Sequence, residues 1–215
     1  MRQLLHKEFS LSLFPLPYCF WALAGLMLIP NYPYLVTFFY TTLGVMFLFQ
    51  YNRENRDIDY MMTLPVRKRD MVTARFLQVT AIELGQVIVC IPFMLIRSRY
   101  AFLNNQVGFE ANIALFGMGL AQMGFFNLVF LPGFYKNGVS VGIPFLKGSI
   151  VSFLYICLME TLLRVVPYFA RYCDSMAAAD QLRQLPVLLA GLALYAALTF
   201  ASWRVSVRRF QRLDL

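Results

Sequence analysis

The side chains able to do chemistry in this chain gather in one block, residues 52–75, which reads NRENRDIDYMMTLPVRKRDMVTAR. It carries Arg53, Arg56, Arg67, Lys68, Arg69 and Arg75 beside Glu54, Asp57, Asp59 and Asp70. Mixed charge at this density forms and exchanges ion pairs; it is not a set for making or breaking covalent bonds. Such sets are missing elsewhere. His6 is the only histidine, which leaves a His-based metal site or a catalytic triad without its parts. Cys19, Cys90, Cys157 and Cys173 are scattered and read as small apolar residues rather than a disulfide or zinc framework. No catalytic and no metal-binding residues are expected. The nearest approach to a phosphate-binding loop is GIPFLKGS at 142–149, where Lys147 precedes Gly148 and the required order is reversed.

Other polar groups lie inside apolar stretches. Glu83 sits seven residues into one of them, where a carboxylate costs about 2.5–3.5 kcal/mol on insertion scales and so should face protein or water. It either lines a translocation route or holds an interface, or it lies near enough to the inner face to pair with Arg75 or reach water. Gln86, Gln122 and Asn127 are further polar positions that would face a route or interface. Glu160 and Arg164 are four apart, the spacing of a helical ion pair. Gly117, Gly119 and Gly124 read as small residues that let helices approach closely. Most aromatic residues are expected to face lipid or form interfacial belts.

The elements that must position these groups follow from composition. The 215 residues are 60% hydrophobic and 14% charged, with mean hydropathy +0.61. A soluble domain averages roughly 25% charged residues, so the solvent for this much apolar surface is lipid. A span needs about 20 apolar residues, and six stretches qualify: 14–29, 33–51, 76–96, 111–131, 148–166 and 186–203. The expected fold is an all-α integral membrane protein with six transmembrane helices. Three units are expected: a lead over 1–13, a six-span domain over 14–204, and a basic tail over 205–215. No cleavable signal peptide is expected. With the N-terminus inside, fourteen of the 19 basic residues fall in inner segments and five in outer ones. Short basic loops stay cytoplasmic, so both termini and the 52–75 loop are expected in the cytoplasm of a cell-membrane protein. The net charge of +8 then serves the membrane surface and needs no nucleic acid.

The lead places Leu5, Phe9 and Leu13 on one side and Arg2, Gln3, His6, Lys7 and Ser10 on the other. Such a helix lies in the membrane interface, as a connecting helix beside a partner or as a plain anchor. Residues 52–62 contain no Gly or Pro and predict about three helical turns, with Ile58, Met61 and Met62 sharing a face. Leu64-Pro65 forces a break, and Pro65 is placed to open the next helix. A short apolar face rimmed by charge suits a reversible protein contact; an ordinary solvated loop is the other reading.

Several of these pieces resemble the ABC-2 type transporter permeases, and within them the short six-span subfamily that includes bacterial exporters of amphipathic peptides such as phenol-soluble modulins. The pieces are the lead MRQLLHKEF, Glu54 followed by YMMTLPVRKRDMVTARFL, LPGFYKNG at 131–138 and the closing RRFQRLDL. Thr63 stands where the family pattern has the serine of SLPV. The resemblance implies a coupling helix at about 54–63 that seats in a partner ATPase, with Glu54, Arg56, Asp57, Ile58, Tyr60, Met61 and Met62 as its contacts. It implies that Leu5, Lys7 and Phe9 belong to a connecting helix bracing the same partner. ATP and Mg would bind that separate subunit and no cofactor this one, which is not itself an enzyme. Six spans enclose a large substrate poorly, so a second copy or a related permease is expected beside it. The competing expectations are an ion- or proton-coupled carrier using Glu83 and a non-transport membrane scaffold.

Overall fold

In the computed structural model the described residues are 2–10, 16–99, 105, 107–137, 140–167, 169–176 and 178–213; of residues 2, 10, 16, 178 and 179 only the backbone is described. They form helices joined by short links, with no strand among them. These are α1 (Arg2–Ser10), α2 (Leu16–Cys19), which continues as a 3-10 segment (Phe20–Leu28), α3 (Leu35–Glu54), α4 (Asp57–Met62), α5 (Lys68–Arg99), α6 (Ile113–Phe134), α7 (Gly142–Val165), a π-helical turn (Phe169–Cys173) and α8 (Ala178–Gln211). The expected lead residues Met1, Leu11 and Leu13, the first residues of span one, Gly138 and the last two tail residues lie outside the described set.

Four helices, α5 to α8, are long and apolar enough to cross a membrane. The other two expected spans correspond to α3 and to the 16–28 unit. At about 1.5 Å per residue, the twenty residues of α3 reach roughly 30 Å, but Thr37, Thr41, Thr42, Gln50 and Asn52 dilute their apolar character. The 3-10 segment rises only about 2.0 Å per residue. Its nine residues plus one turn of α2 therefore fall short of a core about 30 Å thick.

Helix α6 is the centre. It is buried along most of its length between α8, α7 and α3. Glycine makes the α6–α8 approach possible. A Cβ on Gly117 would lie 2.5 Å from the Val187 carbonyl, and one on Gly191 would lie 2.0 Å from the Gly117 carbonyl. Gly124 continues the seam against Tyr195, whereas Gly119 points to Phe38 of α3. Two apolar cores result. The first gathers Phe38, Cys90, Phe109, Leu115 and Met118; the second gathers Phe49, Phe126, Phe130, Phe134, Tyr135 and Phe210. These rings pack inside rather than facing lipid, with Phe49 edge-on to Phe134 at 4.7 Å and to Phe130 at 5.2 Å, whereas Trp21 and Trp203 are half-buried and Phe153 and Phe200 exposed. What α5, α7 and α8 turn outward is mainly aliphatic, with Leu84, Ile88, Leu95, Leu146, Leu154, Leu182 and Leu189 exposed beside Phe153 and Phe200.

The end remote from the charged loop is closed by polar ties. Asn112 caps α6 by accepting from the Leu115 N–H (3.0 Å) and donates to the Cys173 carbonyl (2.7 Å). Gln184 of α8 donates to the Tyr172 and Ser175 carbonyls, both at 2.8 Å. Glu160 and Arg164 do not form the expected ion pair. Both Glu160 oxygens are buried without a hydrogen-bond partner, against Gly108, where a Cβ would meet them at 2.7 and 2.9 Å. The carboxylate occupies the space beside Gly108 that the absent Cβ leaves free, outside ion-pair distance of Arg164.

Asp174 accepts the Glu110 backbone N–H at 2.7 Å. Burial pushes its carboxyl up to about 6, the hydrogen bond opposes that rise, and the nearby Glu110 charge adds to it. Between the ordinary value near 3.8 and about 6 the folded chain therefore holds a proton that the unfolded chain has released. Stability from this group falls as pH rises through that window. Asp174→Asn keeps an acceptor without the charge. It is expected to melt at or above wild type at pH 7.5 and to lose this part of the pH dependence; detergent-solubilised melting curves between pH 4.5 and 7.5 check it.

Candidate functional site

The charged block folds differently from the three-turn helix expected over 52–62. Helix α3 runs on through Glu54, so Arg53 and Glu54 are its last turn, with Gln50 donating to Glu54 at 3.2 Å. Arg56 then takes a left-handed backbone (φ 50°), a conformation costly for a residue with a Cβ. That residue redirects the chain into the single-turn α4. The second break is where Leu64-Pro65 placed it, but Pro65 sits in the turn and α5 starts at Lys68. Thr63 closes α4 through its hydroxyl to the Tyr60 carbonyl (2.7 Å).

Four side chains from three helices meet beneath this turn. Lys7 and Glu8 come from α1, Asp57 from α4 and Arg75 from α5. Lys7 pairs with Asp57 and, at 3.2 Å, with Glu8. Arg75 meets Asp57 at 2.5 Å through Nη2 and Glu8 at 3.2 Å through Nε. Two cations and two carboxylates make the quartet neutral, and all four are largely withdrawn from solvent, Glu8 to 3% and Asp57 to 12% of side-chain exposure. Charges at this burial repay their desolvation only when closely paired. Arg75 also lies over the Phe49 ring (5.8 Å), and Gln78 of α5 donates to the Glu8 carbonyl (2.7 Å). The lead helix, the short loop helix and the base of α5 are thus one bonded unit.

This geometry sorts the expected coupling contacts. Met61 is 2% exposed and packs in the chain's own core; Ile58 and Met62 are half-buried against it. The apolar face of α4 therefore points inward, because Val45, Leu48 and Val72 supply an apolar floor beneath it. What faces outward is Glu54, Arg56, Asp59 and Tyr60, the last 61% exposed. On α1, Phe9 is exposed and Leu5 half-buried, consistent with an interfacial stripe; Leu4 and Glu8 are the residues that pack inward, and Lys7 belongs to the quartet. Glu8 carried no sequence signal, since its partner Arg75 is distant along the chain. Between α1 and the 64–67 turn lies a hollow of about 340 Å³ lined by Leu4, Lys7, Met61, Pro65, Arg67 and Asp70.

The polar residues within the spans separate into groups. Glu83 and Asn127 come together, with Asn127 Nδ2 donating to Glu83 Oε2 at 2.9 Å. Helix α8 completes the cluster: Tyr195 donates to the same oxygen at 2.7 Å, Asn127 Nδ2 also reaches the Thr199 hydroxyl at 3.3 Å, and Ser202 donates to the Asn127 carbonyl at 2.6 Å. Glu83 is fully buried and does not meet Arg75. Gln86 bonds instead to Cys90 Sγ (3.4 Å), and Gln122 is buried in α6 with neither amide atom bonded. Tyr195 and Thr199 also line a groove of about 360 Å³ between α5 and α8, walled by Phe76, Leu77, Phe200 and Trp203. Tyr195, Thr199 and Ser202 were not singled out in the sequence because a hydroxyl in a span is common and its partners lie on other helices.

No group of three or more His, Cys, Asp or Glu side chains able to hold a metal occurs among the described residues. No curated protein and no solved structure matches the chain. A family model described as "ABC-2 family transporter protein" matches residues 3–211. The match takes in α1 from Gln3, the quartet, the Glu83 cluster and all of α8; together with the long apolar helices it makes the chain a multi-pass membrane component of an ABC transporter, a family whose membrane chains work with an ABC ATPase. The chain belongs to the ABC-2 family of transporter proteins.

Proposed function

We propose that this chain is the permease subunit of an exporter that moves an amphipathic or hydrophobic substrate, a peptide, outward, driven by a separate ATPase subunit that grips the loop at 52–75. In this reading the 16–28 unit, crossing where the bilayer thins to meet a short apolar segment, and α3 join α5 to α8 as six membrane segments, both termini and the loop lie on the cytoplasmic side of the cell membrane, and two permease chains enclose the route. ATP and Mg belong to the partner. The observation that carries the reading is the buried quartet. A loop that hands force to membrane helices must be stiffly joined to them, and Asp57 is held to Arg75 at the base of α5 and to Lys7 on α1. Tyr60, Asp59, Arg56 and Glu54 form the outward face for the partner.

The test is co-expression with the ATPase chain. Stoichiometric co-purification is expected, and Tyr60→Ala is expected to weaken it about tenfold or more while leaving the melting temperature unchanged, because a large exposed aromatic at an interface centre commonly contributes 2 kcal/mol or more. Unaltered co-purification and transport by Tyr60→Ala together with Arg56→Glu would remove the loop from the partner interface.

A carrier reading is favoured by one observation, the buried Glu83 with Oε1 unpartnered beside a lipid-facing groove. The two readings part at Glu83→Gln. The amide still accepts from Tyr195, so a helix tie is kept and transport is expected within about twofold of wild type. Glu83→Ala strands Asn127 and Tyr195 and is expected to cost about 2–3 kcal/mol of stability. Abolished transport by a well-folded Glu83→Gln would favour ion coupling.

A further inference from the structure

Three pieces of sequence that the coupling reading leaves without a role meet in one place. Lys136 and Asn137 come from the midchain LPGFYKNG, Lys147 from GIPFLKGS, and Arg209 from the closing RRFQ. They line a cavity of about 340 Å³ at the α6–α7 link, with Ser140 beside them and no acidic residue in the lining. We infer that this cavity binds the headgroup of an anionic phospholipid in the leaflet at this end of the helices, its acyl chain running along the outward face of α7.

The charge is placed for a phosphodiester. Lys136 and Lys147 form no ion pair among the described residues, and Arg209 is fixed by donating through Nη1 to the Pro132 carbonyl at 2.6 Å. Helix α7 begins here, and Val141 at its N-cap supplies no side-chain acceptor; Pro144 has no N–H and the Phe145 N–H bonds to the Val141 carbonyl, which leaves the Gly142 and Ile143 N–H groups uncapped. Such groups add to the attraction for an anion. Basic pockets between helices at a membrane face recognise lipid headgroups by this chemistry.

The surroundings choose lipid over a soluble anion. From the cavity mouth Ile143, Leu146, Ile150 and Leu154 follow at helical spacing down α7, between 51% and 66% exposed. This stripe starts beside Lys147, so cations and an uninterrupted aliphatic track adjoin. An occupant with a phosphate at one end and a chain at the other covers both. The site requires only that α7 spans the membrane, and it stands or falls separately from the coupling role of the 52–75 loop.

Purified protein in neutral detergent, exposed to phosphatidylglycerol, phosphatidylcholine or soluble glycerol phosphate, tests it by native mass spectrometry and by melting temperature. Wild type is expected to retain phosphatidylglycerol about tenfold over phosphatidylcholine and to be stabilised by it, with no response to glycerol phosphate. Lys136→Gln/Lys147→Gln is expected to lose that selectivity, and Arg53→Gln/Arg204→Gln, which removes two other cations, to keep it. Should the first double variant fail to fold, Lys147→Gln alone carries the comparison, since that side chain is exposed. Equal loss in the Arg53/Arg204 variant would overturn the inference in favour of diffuse basic attraction. An equal response to glycerol phosphate would overturn it in favour of a soluble-anion site. Retained lipid selectivity with lost ATPase co-purification would make the pocket a protein contact instead.

Discussion

Gly191→Leu is expected to abolish accumulation of folded protein in the membrane, and Gly191→Ala to cost about 3 kcal/mol or more of stability. Overpacking a close-packed site costs roughly 1–3 kcal/mol, occasionally more. Position 191 belongs at the upper end because what an added Cβ meets is backbone. It would lie 2.0 Å from the Gly117 carbonyl oxygen, 2.5 Å from its carbon and 2.6 Å from its Cα. Those atoms cannot rotate away, so α6 and α8 must separate. Separation also opens the cluster held by Glu83, Asn127, Tyr195 and Ser202, whose bonds span the same two helices and α5. In a membrane, close approach of small residues is itself a main source of helix association, so no solvent-driven collapse compensates. Gly25→Ala is the control: its Cβ would meet only Phe93 at 3.7 Å, ordinary contact. Size-exclusion profiles and melting of the three variants in detergent read the result. A monodisperse Gly191→Leu protein melting like wild type would show that the α6–α8 seam is not as close as described.

The contrast between Gly191 and the glycines read from sequence shows what was legible. Gly117 and Gly124 were legible as small residues repeated within one apolar stretch, and both do pack against α8. Gly191 is a lone glycine in an alanine- and leucine-rich stretch, and only its partner helix gives it meaning. The same limit governs the charged block. Its break at Leu64-Pro65 is written in local chemistry, whereas the turn at Arg56 uses a backbone conformation that arginine does not advertise. In α1 the period of four was visible, but Leu4 with Glu8 and Leu5 with Phe9 share it, and the inward choice depends on Gln78 and Arg75, far along the chain. Hydropathy located the apolar stretches that became helices, yet could not say which rings, such as Phe49, Phe126 and Phe130, turn inward and which, such as Phe153 and Phe200, turn outward. The family pieces were legible because they are contiguous; the quartet and the lipid pocket were not, being assembled across helices.

Charge reversal at Asp57 is expected to separate ATP hydrolysis from transport. Asp57 is the one member of the quartet on α4, and it binds both Lys7 and Arg75. Asp57→Lys leaves three cations around Glu8, and breaking a largely buried pair in this way costs about 3–5 kcal/mol. The loss falls on the junction rather than on the bundle: α4 has six residues, while α5 to α8 are held by their own apolar cores. The variant is therefore expected to insert and to keep its partner through Tyr60, Arg56 and Glu54, with ATP hydrolysis continuing and transport lowered at least tenfold. Exposed Tyr60 fails in the opposite order, losing the partner first. Charge balance supplies the decisive comparison. Asp57→Arg combined with Arg75→Asp restores two cations and two carboxylates, and is expected to recover part of the transport lost in either single variant, a positive coupling of the kind that double-mutant cycles resolve. Recovery would mean that the junction transmits force through ion pairing. Transport at the wild-type rate in Asp57→Lys would mean that the quartet is only a surface staple and that α4 moves independently of α5.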